Sequence, residues 1–251
     1  MNPLSKDEIP KMRAAGRLAA QTLDYVTKYI KAGITTDEIN TLVHDFTLRN
    51  GATPAPLGYH GFPKSVCTSV NDVICHGVPD GTVLKDGDII NVDVTCIKDG
   101  FYGDTSRTYF VGEVSEKAKH ITEIAEKAMW KGIEEVRGFA STGDIGFEIN
   151  KFVMKNGYHV VRDIGGHGIG KTFHDDPFVP SYGKKGRGPK LMPWCCITVE
   201  PMINETDAQL EEVSIPGSEI KYYLTGDRTL SAQFEHTVLI TDVGYEIMTL
   251  P

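Results

Sequence analysis

The stretch Asp88–Val111, DIINVDVTCIKDGFYGDTSRTYFV, decides how the rest of the chain is read. Ile90, Val92, Val94 and Cys96 alternate with Asn91, Asp93 and Thr95, the period-two pattern of a strand with two different faces. Asp99-Gly100 is a strong two-residue hairpin signal, because both central positions of such a turn need a positive φ. Phe101 to Val111 then returns as the second strand. With that turn, Asp93 lies opposite Ser106 and Asp104 opposite Thr95, so the two carboxylates are diagonal neighbours on one face. A turn at Lys98-Asp99 would pair them directly, and a three-residue bulged turn would scramble the register. Taken alone, the hairpin reads more readily as a solvated sheet face. Like charges that close are nevertheless unfavourable unless a cation or a proton sits between them.

Outward from the hairpin, helical patterns alternate with strands. From Lys6 to Lys31, Met12, Ala15, Ala19, Leu23, Val26 and Ile30 fall on one helical face, and Gly33 is read as its left-handed cap. Thr35 and Glu38 form a capping box for a second helix with Ile39, Leu42, Val43 and Phe46 inward, stopped by Asn50-Gly51. The layout returns after the hairpin. Ser115 opens a helix carrying Ile121, Ala125, Ala128, Met129 and Val136, and a shorter helix follows Thr142 and stops at Asn156-Gly157. Glu38-Ile39-Asn40 recurs as Glu148-Ile149-Asn150 at an offset of 110. The repeated order predicts one domain over 1–251 made of two related α/β halves, approximately 1–114 and 115–251. Further strands are predicted at Tyr158–Ile164, Cys195–Glu200 and Ser231–Ile240, with a loop over Ser181–Pro193. The fold class is α+β, an antiparallel sheet covered by helices.

Composition narrows the function classes. The chain has 251 residues, 40% apolar and 24% charged, with a net charge of -8, so it can bury a core and is a poor constitutive partner for DNA or RNA. No run approaches the roughly 18 apolar residues of a membrane span. Met1 to Arg13 mixes charged with apolar residues, and no export signal is read there. Five cysteines, an odd number with no C-x-x-C pair, argue against a disulfide framework or a zinc knuckle. We expect a soluble cytoplasmic protein with reduced thiols.

Glu200, at the end of Cys195–Glu200, shares a polar stripe with Thr198, and Glu235 shares one with Gln233 and Thr237. His167 and His174 flank a glycine-rich segment, and His76 follows the strand-like run Ser69–Cys75. A single such histidine is most often structural; three of them with four inward carboxylates suit two divalent ions about 3.5–4 Å apart. Water shared by two ions becomes a nucleophile at neutral pH, and a carboxylate can take its proton. One motif misleads. Gly165–Thr172 matches the phosphate-loop pattern G-x-x-x-x-G-K-[ST] at every position, but the following Phe173-His174-Asp175-Asp176-Pro177 cannot open the helix that would hold an anion.

Seven motifs together resemble the type I methionine aminopeptidases: Tyr59–Pro63, Asn71–His76, Asn91–Thr95, Gly103–Thr105, Gly166–Gly170, Thr198–Pro201 and Gln233–Thr237. They keep the family's order and similar spacing from Ser5 to Thr249. The resemblance implies the pita-bread fold, with two pseudo-symmetric α/β halves and a curved antiparallel sheet covered by helices. It also implies a metallo-aminopeptidase that removes the initiator methionine from nascent chains with a small second residue, through a metal-bridging water or hydroxide. Carried onto matching positions, Asp93, Asp104, His167, Glu200 and Glu235 would bind two divalent ions drawn from cobalt, manganese, iron(II) and zinc. Asp104 and Glu235 would bridge them, and Glu200 would also shuttle a proton. His174 would steady the carbonyl oxygen and His76 would hydrogen-bond the scissile nitrogen. Tyr59, His60, Phe62, Cys67 and Phe173 would wall the methionine pocket, with His76 and His174 at its edge, and a thioether suits such a hole. Asn71, Val73 and Ser231 match positions that can hold sodium or potassium.

The chain departs from the pattern at Pro56, where a small or sulfur-bearing pocket residue is common, and at Lys221, in register with an expected Trp that Tyr222 or Tyr223 would replace. The basic loop 184–190 is read as a solvated loop in preference to a transient ribosome contact, and the chain as a monomer. Two rival readings remain. A proline-directed aminopeptidase of the same fold would carry a further N-terminal domain, for which Met1–Lys64 is too short. A catalytically silent pita-bread scaffold would have lost ligands, and all five are intact.

Overall fold

The computed structural model describes residues 2–251; Met1, the first residue of the expected single domain, lies outside the described residues. Its centre is the expected hairpin. Strands β1 (Ile89–Lys98) and β2 (Phe101–Phe110) pair antiparallel with Lys98 opposite Phe101, Thr95 opposite Asp104 and Asp93 opposite Ser106. The turn sits on Asp99-Gly100 at φ 52° and 80°, so the first of the three readings holds.

Three strands from the C-terminal half extend this pair. They are β3 (Gly166–Ile169), β4 (Cys196–Val199) and β5 (Glu235–Ile240), giving the sheet order β1-β2-β5-β4-β3 with every pairing antiparallel. Beyond β3 lies β6 (Asp175–Val179), a strand where a phosphate loop would need a helix. On the other flank β7 (Cys67–Val70) pairs with β1, Cys67 opposite Asp93.

Helices cover one face of this sheet. Helix α1 (Ile9–Thr27) and α2 (Thr36–Arg49) bury Leu18, Leu23, Val26, Ile39 and Val43 against Ile90, Val92, Val94 and Cys96. Helices α3 (Glu116–Ile133) and α4 (Thr142–Lys155) bury Ile121, Ala125, Met129, Ile145 and Ile149 with Ile197, Val199, Val238 and Ile240. The capping box of α2 is formed: Glu38 donates its N–H to the Thr35 hydroxyl at 3.1 Å, and Thr35 N–H reaches the Glu38 carboxylate at 2.8 Å. Ser115 caps α3 as expected, while the cap of α4 is Ser141, one residue before the expected Thr142.

Several expectations are corrected, among them that α3 carries Val136, since that helix ends at Ile133. Helix α1 starts at Ile9 and stops at Thr27, well inside Lys6–Lys31, and Gly33 is not its cap. Ile30 reaches the core from a turn, since a residue with helical spacing need not sit in a helix to be buried. The strand predicted over Tyr158–Ile164 is only His159–Val160, paired with β8 (Met202–Asn204). Ser231–Ile240 is two strands broken at Phe234. Its first part, β9 (Ser231–Gln233), joins β8 in a separate three-stranded sheet, so the break brings a second sheet against the first.

Candidate metal centre

The face of the central sheet turned away from the helices carries the expected ligands on two adjacent rungs. One rung runs Asp93–Ser106–Glu235, from the pairs Asp93–Ser106 and Ser106–Glu235. The other holds Thr95, Asp104, Thr237 and Thr198, with His167 donating its N–H to the Thr198 hydroxyl at 2.9 Å. The period of two explains the arrangement: 93 and 95, 104 and 106, 235 and 237, 198 and 200 project from the same side. The face that the hairpin alone suggested was solvated is buried, with Asn91, Thr95, Asp104, Ser106 and Glu235 each under 5% exposed.

The ligand atoms converge. One atom each from Asp104, His167 and Glu235 lies within 4.8 Å of the others. His167 Nε2 is 3.7 Å from Asp104 Oδ2 and 3.5 Å from Glu200 Oε1. Asp93 and Glu200 line the same cavity. Hydroxyls and an amide hold the carboxylates from behind: Thr95 donates to Asp104 Oδ1 at 2.7 Å, Thr198 to Glu200 Oε1 at 2.8 Å, and Gln233 Nε2 to Glu200 Oε2 at 3.2 Å. Sequence reasoning placed Thr95, Thr198 and Gln233 on the right faces but gave them no task. The same-face rule that found the carboxylates was the available signal.

Electrostatics test whether divalent metal fits. Burial pushes the Asp93 carboxyl up to about 7 and Glu200 to about 8. Asp104 and Glu235 rise well above the carboxylate range through burial and then through repulsion from their carboxylate neighbours. Asp93 Oδ1 is buried with no hydrogen-bond partner. Burial also drives the His167 imidazole down to about 4, so it is neutral, and its Nδ1 faces the Gly168 carbonyl at 3.0 Å. A carbonyl can only accept, so Nδ1 carries the hydrogen and Nε2 presents a bare lone pair to the carboxylates. Crowded carboxylates, an orphaned oxygen and a bare imidazole nitrogen are a donor set for divalent metal.

Around this cradle the cavity is walled by Tyr59, Phe62, Cys67, His76, Phe173 and His174. Phe173 stacks on His174 with centroids 4.1 Å apart, and Tyr59 meets both rings. His76 Nδ1 faces the Lys221 carbonyl at 3.1 Å, and His174 Nδ1 faces the Tyr59 hydroxyl at 2.9 Å. His60 has a left-handed backbone, its imidazole meets Glu219 at 2.8 Å, and its ring meets Tyr59 edge-on at 4.4 Å between centroids. From the segment expected to replace a Trp with Tyr222 or Tyr223, it is Ile220 that lines the cavity, while Lys221 pairs outward with Glu212. The loop before β10 (Lys221–Thr225) has no periodicity to fix that register. Pro56 does line the cavity.

The structure also brings Asn71 and Ser231 together through the bond from Ser231 N–H to the Asn71 carbonyl at 2.9 Å, with Val73 two residues on. Both polar ends of the Asn71 side chain are engaged, by Asp88 and Ile89, whereas Ser231 Oγ is buried without a partner.

Comparison with known proteins gives a consistent result. Residues 10–242 match the model of metallopeptidase family M24. The chain is 51% identical over 240 residues to the methionine aminopeptidase of Rickettsia prowazekii, covering 96% of this chain and 92% of that protein. It is 43% identical to the methionine aminopeptidase of Escherichia coli K12, over 97% of this chain and 92% of that one. The crystal structure of the Rickettsia prowazekii methionine aminopeptidase superposes with a TM-score of 0.96 at 49% identity, covering 100% of both chains.

Proposed function

The chain belongs to metallopeptidase family M24, and from that premise we propose that it is a methionine aminopeptidase of pita-bread fold, removing the initiator methionine from nascent chains with a small second residue. The observation that carries the reading is the convergence of Asp104, His167 and Glu235 in a buried carboxylate cavity that also takes in Asp93 and Glu200. These five residues would hold two divalent ions, with cobalt, manganese, iron(II) and zinc all compatible with mixed carboxylate and imidazole ligation. When bound, such ions polarise a carbonyl and acidify water.

The chain's own residues supply the rest. Glu200, fixed by Thr198 and Gln233, accepts the proton of the attacking water and delivers it to the leaving amine. His76 donates Nδ1–H to the Lys221 carbonyl, which leaves Nε2 free to accept from the scissile N–H. His174, across the cavity, meets the carbonyl oxygen as charge develops there. Tyr59, Phe62, Cys67, Phe173 and Ile220 take the methionine side chain, and their aromatic and sulfur surfaces suit a thioether. Asn71, Val73 and Ser231 would hold a monovalent cation, sodium or potassium.

The chain is taken as one domain of two related halves, a cytoplasmic monomer acting on nascent N-termini. Among the described residues no helix is long and apolar enough to cross a membrane. The basic loop is docked on α4, with Lys185 paired to Glu148 and Lys190 donating to Ser141, which favours a structural loop over a ribosome contact. Purified, metal-analysed protein should cleave Met-Ala-Ser and leave X-Pro peptides intact, and lose that activity on chelation. Preference for X-Pro peptides, or turnover that survives complete metal removal, would overturn the assignment.

A further inference from the structure

His76, His167 and His174 face one cavity, and what lies behind each Nδ1 differs. Behind His76 and His167 are the carbonyls of Lys221 and Gly168. Carbonyls only accept, so both rings carry hydrogen on Nδ1 and are bare at Nε2. Behind His174 is the Tyr59 hydroxyl, 2.9 Å away, a group that can donate.

The direction of that bond follows from the donor and acceptor strengths of the imidazole and of Tyr59. Its hydroxyl has no other hydrogen-bond partner among the described residues, and its ring lies against Phe173, at 4.8 Å between centroids, and His174, at 5.3 Å. A phenol O–H is a stronger donor than a neutral imidazole N–H, and a bare imidazole nitrogen is a stronger acceptor than a phenol oxygen. For a pair partly open to solvent that difference sets the direction, and the phenol donates to Nδ1. Phe173, stacked 14° from parallel on His174, limits rotation of the imidazole out of line with the hydroxyl.

We infer that Tyr59 is a positioning residue whose hydroxyl donates to His174 Nδ1 and holds that ring in the Nε2–H tautomer, opposite to His76 and His167. His174 therefore offers the cavity a donor, as a carbonyl oxygen gaining negative charge requires, while His76 offers an acceptor, as a scissile N–H requires. The two histidines cannot exchange tasks, because the groups behind them differ. Tyr59 thus acts twice: its ring walls the methionine pocket and its hydroxyl sets the protonation site of a neighbour. This rests on the assignment of His174 to the substrate carbonyl made above.

The test separates the tautomer from the kinetics. Two-bond proton–nitrogen correlation spectra of the full 15N-labelled chain, metal-free and zinc-loaded, report each ring nitrogen as bare or protonated, with His174 assigned by its loss in His174→Ala. The expected spectrum has His174 bare at Nδ1 and protonated at Nε2, and Tyr59→Phe shifts both nitrogens toward a mixed pattern. Tyr59→Phe keeps the ring, so kcat on Met-Ala-Ser should fall about tenfold while KM moves less than about twofold. In a His174→Ala background the same change should cost nothing further. Protonation at Nδ1 in the unaltered chain, or a Tyr59→Phe loss that persists undiminished without His174, would overturn the proposal. If the nitrogen pattern holds but His174→Ala retains full turnover, the positioning claim falls together with the carbonyl role of His174, and the tautomer assignment alone survives.

Discussion

At the scale of single residues, the site is a problem in charge that the protein leaves unsolved on its own. Asp93, Asp104, Glu200 and Glu235 share one buried cavity, and each is held toward its neutral form there. Glu200 accepts from two side chains, Thr198 and Gln233, which orient it as an acceptor. Glu200→Gln removes both a ligand charge and the proton acceptor, and turnover should fall by about two to four orders of magnitude, as for lost acid–base catalysts. Steady-state kinetics beside calorimetric metal titration check it, and near-normal kcat would end that role. His174→Ala should behave differently, with a turnover loss of about a hundredfold or more and metal content retained, since its task is with developing charge. Elemental analysis that shows metal and activity lost in equal proportion would move His174 among the ligands. The four carboxylates and the histidines of the cavity were legible as candidates because acidic and imidazole groups on inward strand faces are chemically conspicuous, and the resemblance picked five of them as ligands. Ile220 was not legible: a loop without periodicity gives an apolar wall residue no signature.

At the scale of elements, the hairpin and the first helix decide whether the carboxylates meet. Asp99-Gly100 supplies two left-handed residues, which fixes the β1–β2 register and puts Asp93 and Asp104 on one face. Next to Asp104, Gly103 lets α1 lie directly on β2. A Cβ there would stand 2.3 Å from the Ala15 carbonyl oxygen and 2.5 Å from the Gly16 nitrogen, both backbone atoms. Gly103→Ala should therefore destabilise the fold by about 1–3 kcal/mol or more. It should also weaken metal retention, because the displaced strand carries Asp104. Thermal unfolding and metal titration of the variant check both, and an unchanged midpoint would show that α1 can move freely. Local signals were read well where the chemistry is local. The capping box of α2 and the Asn50-Gly51 stop are examples. The end of α1 and the break at Phe234 were missed; at Phe234 the chain passes from pairing with β8 to pairing with β2 and β4, partners distant in sequence.

At the scale of the whole molecule, the cradle links stability to pH and metal. Asp93 and Glu200 ionise near 7 and 8 in the folded chain against ordinary values of 3.8 and 4.5, so the native state binds more protons than the unfolded one between those limits. Their contribution is complete at low pH and is lost as pH rises through the folded values. His167, lowered to about 4 from 6.5, acts in the opposite sense and costs stability as pH falls below 6.5. The metal-free protein should thus unfold at a higher temperature near pH 7 than near pH 8.5. Added divalent metal takes the place of the protons, so its stabilisation should be larger at the higher pH. Calorimetry of chelated and reconstituted protein at the two values checks this, and a metal effect independent of pH would show that the carboxylates are already ionised.

By itself the sequence determined the alternation of helices and strands, the existence of the hairpin and which acidic side chains lie on inward strand faces. Each of these follows from period, turn chemistry or residue type within a short window. The tertiary structure alone decided which strands stand side by side. Asp93 and Asp104 from the first half, and His167, Glu200 and Glu235 from the second, meet because β5 pairs with β2 and β4. It also decided which group lies behind each imidazole, and so which nitrogen is free to act. Such pairings join residues far apart in the chain, as between Val199 and His236 or between Thr105 and His236, and are selected by the shared burial of two helical layers, which no local pattern encodes.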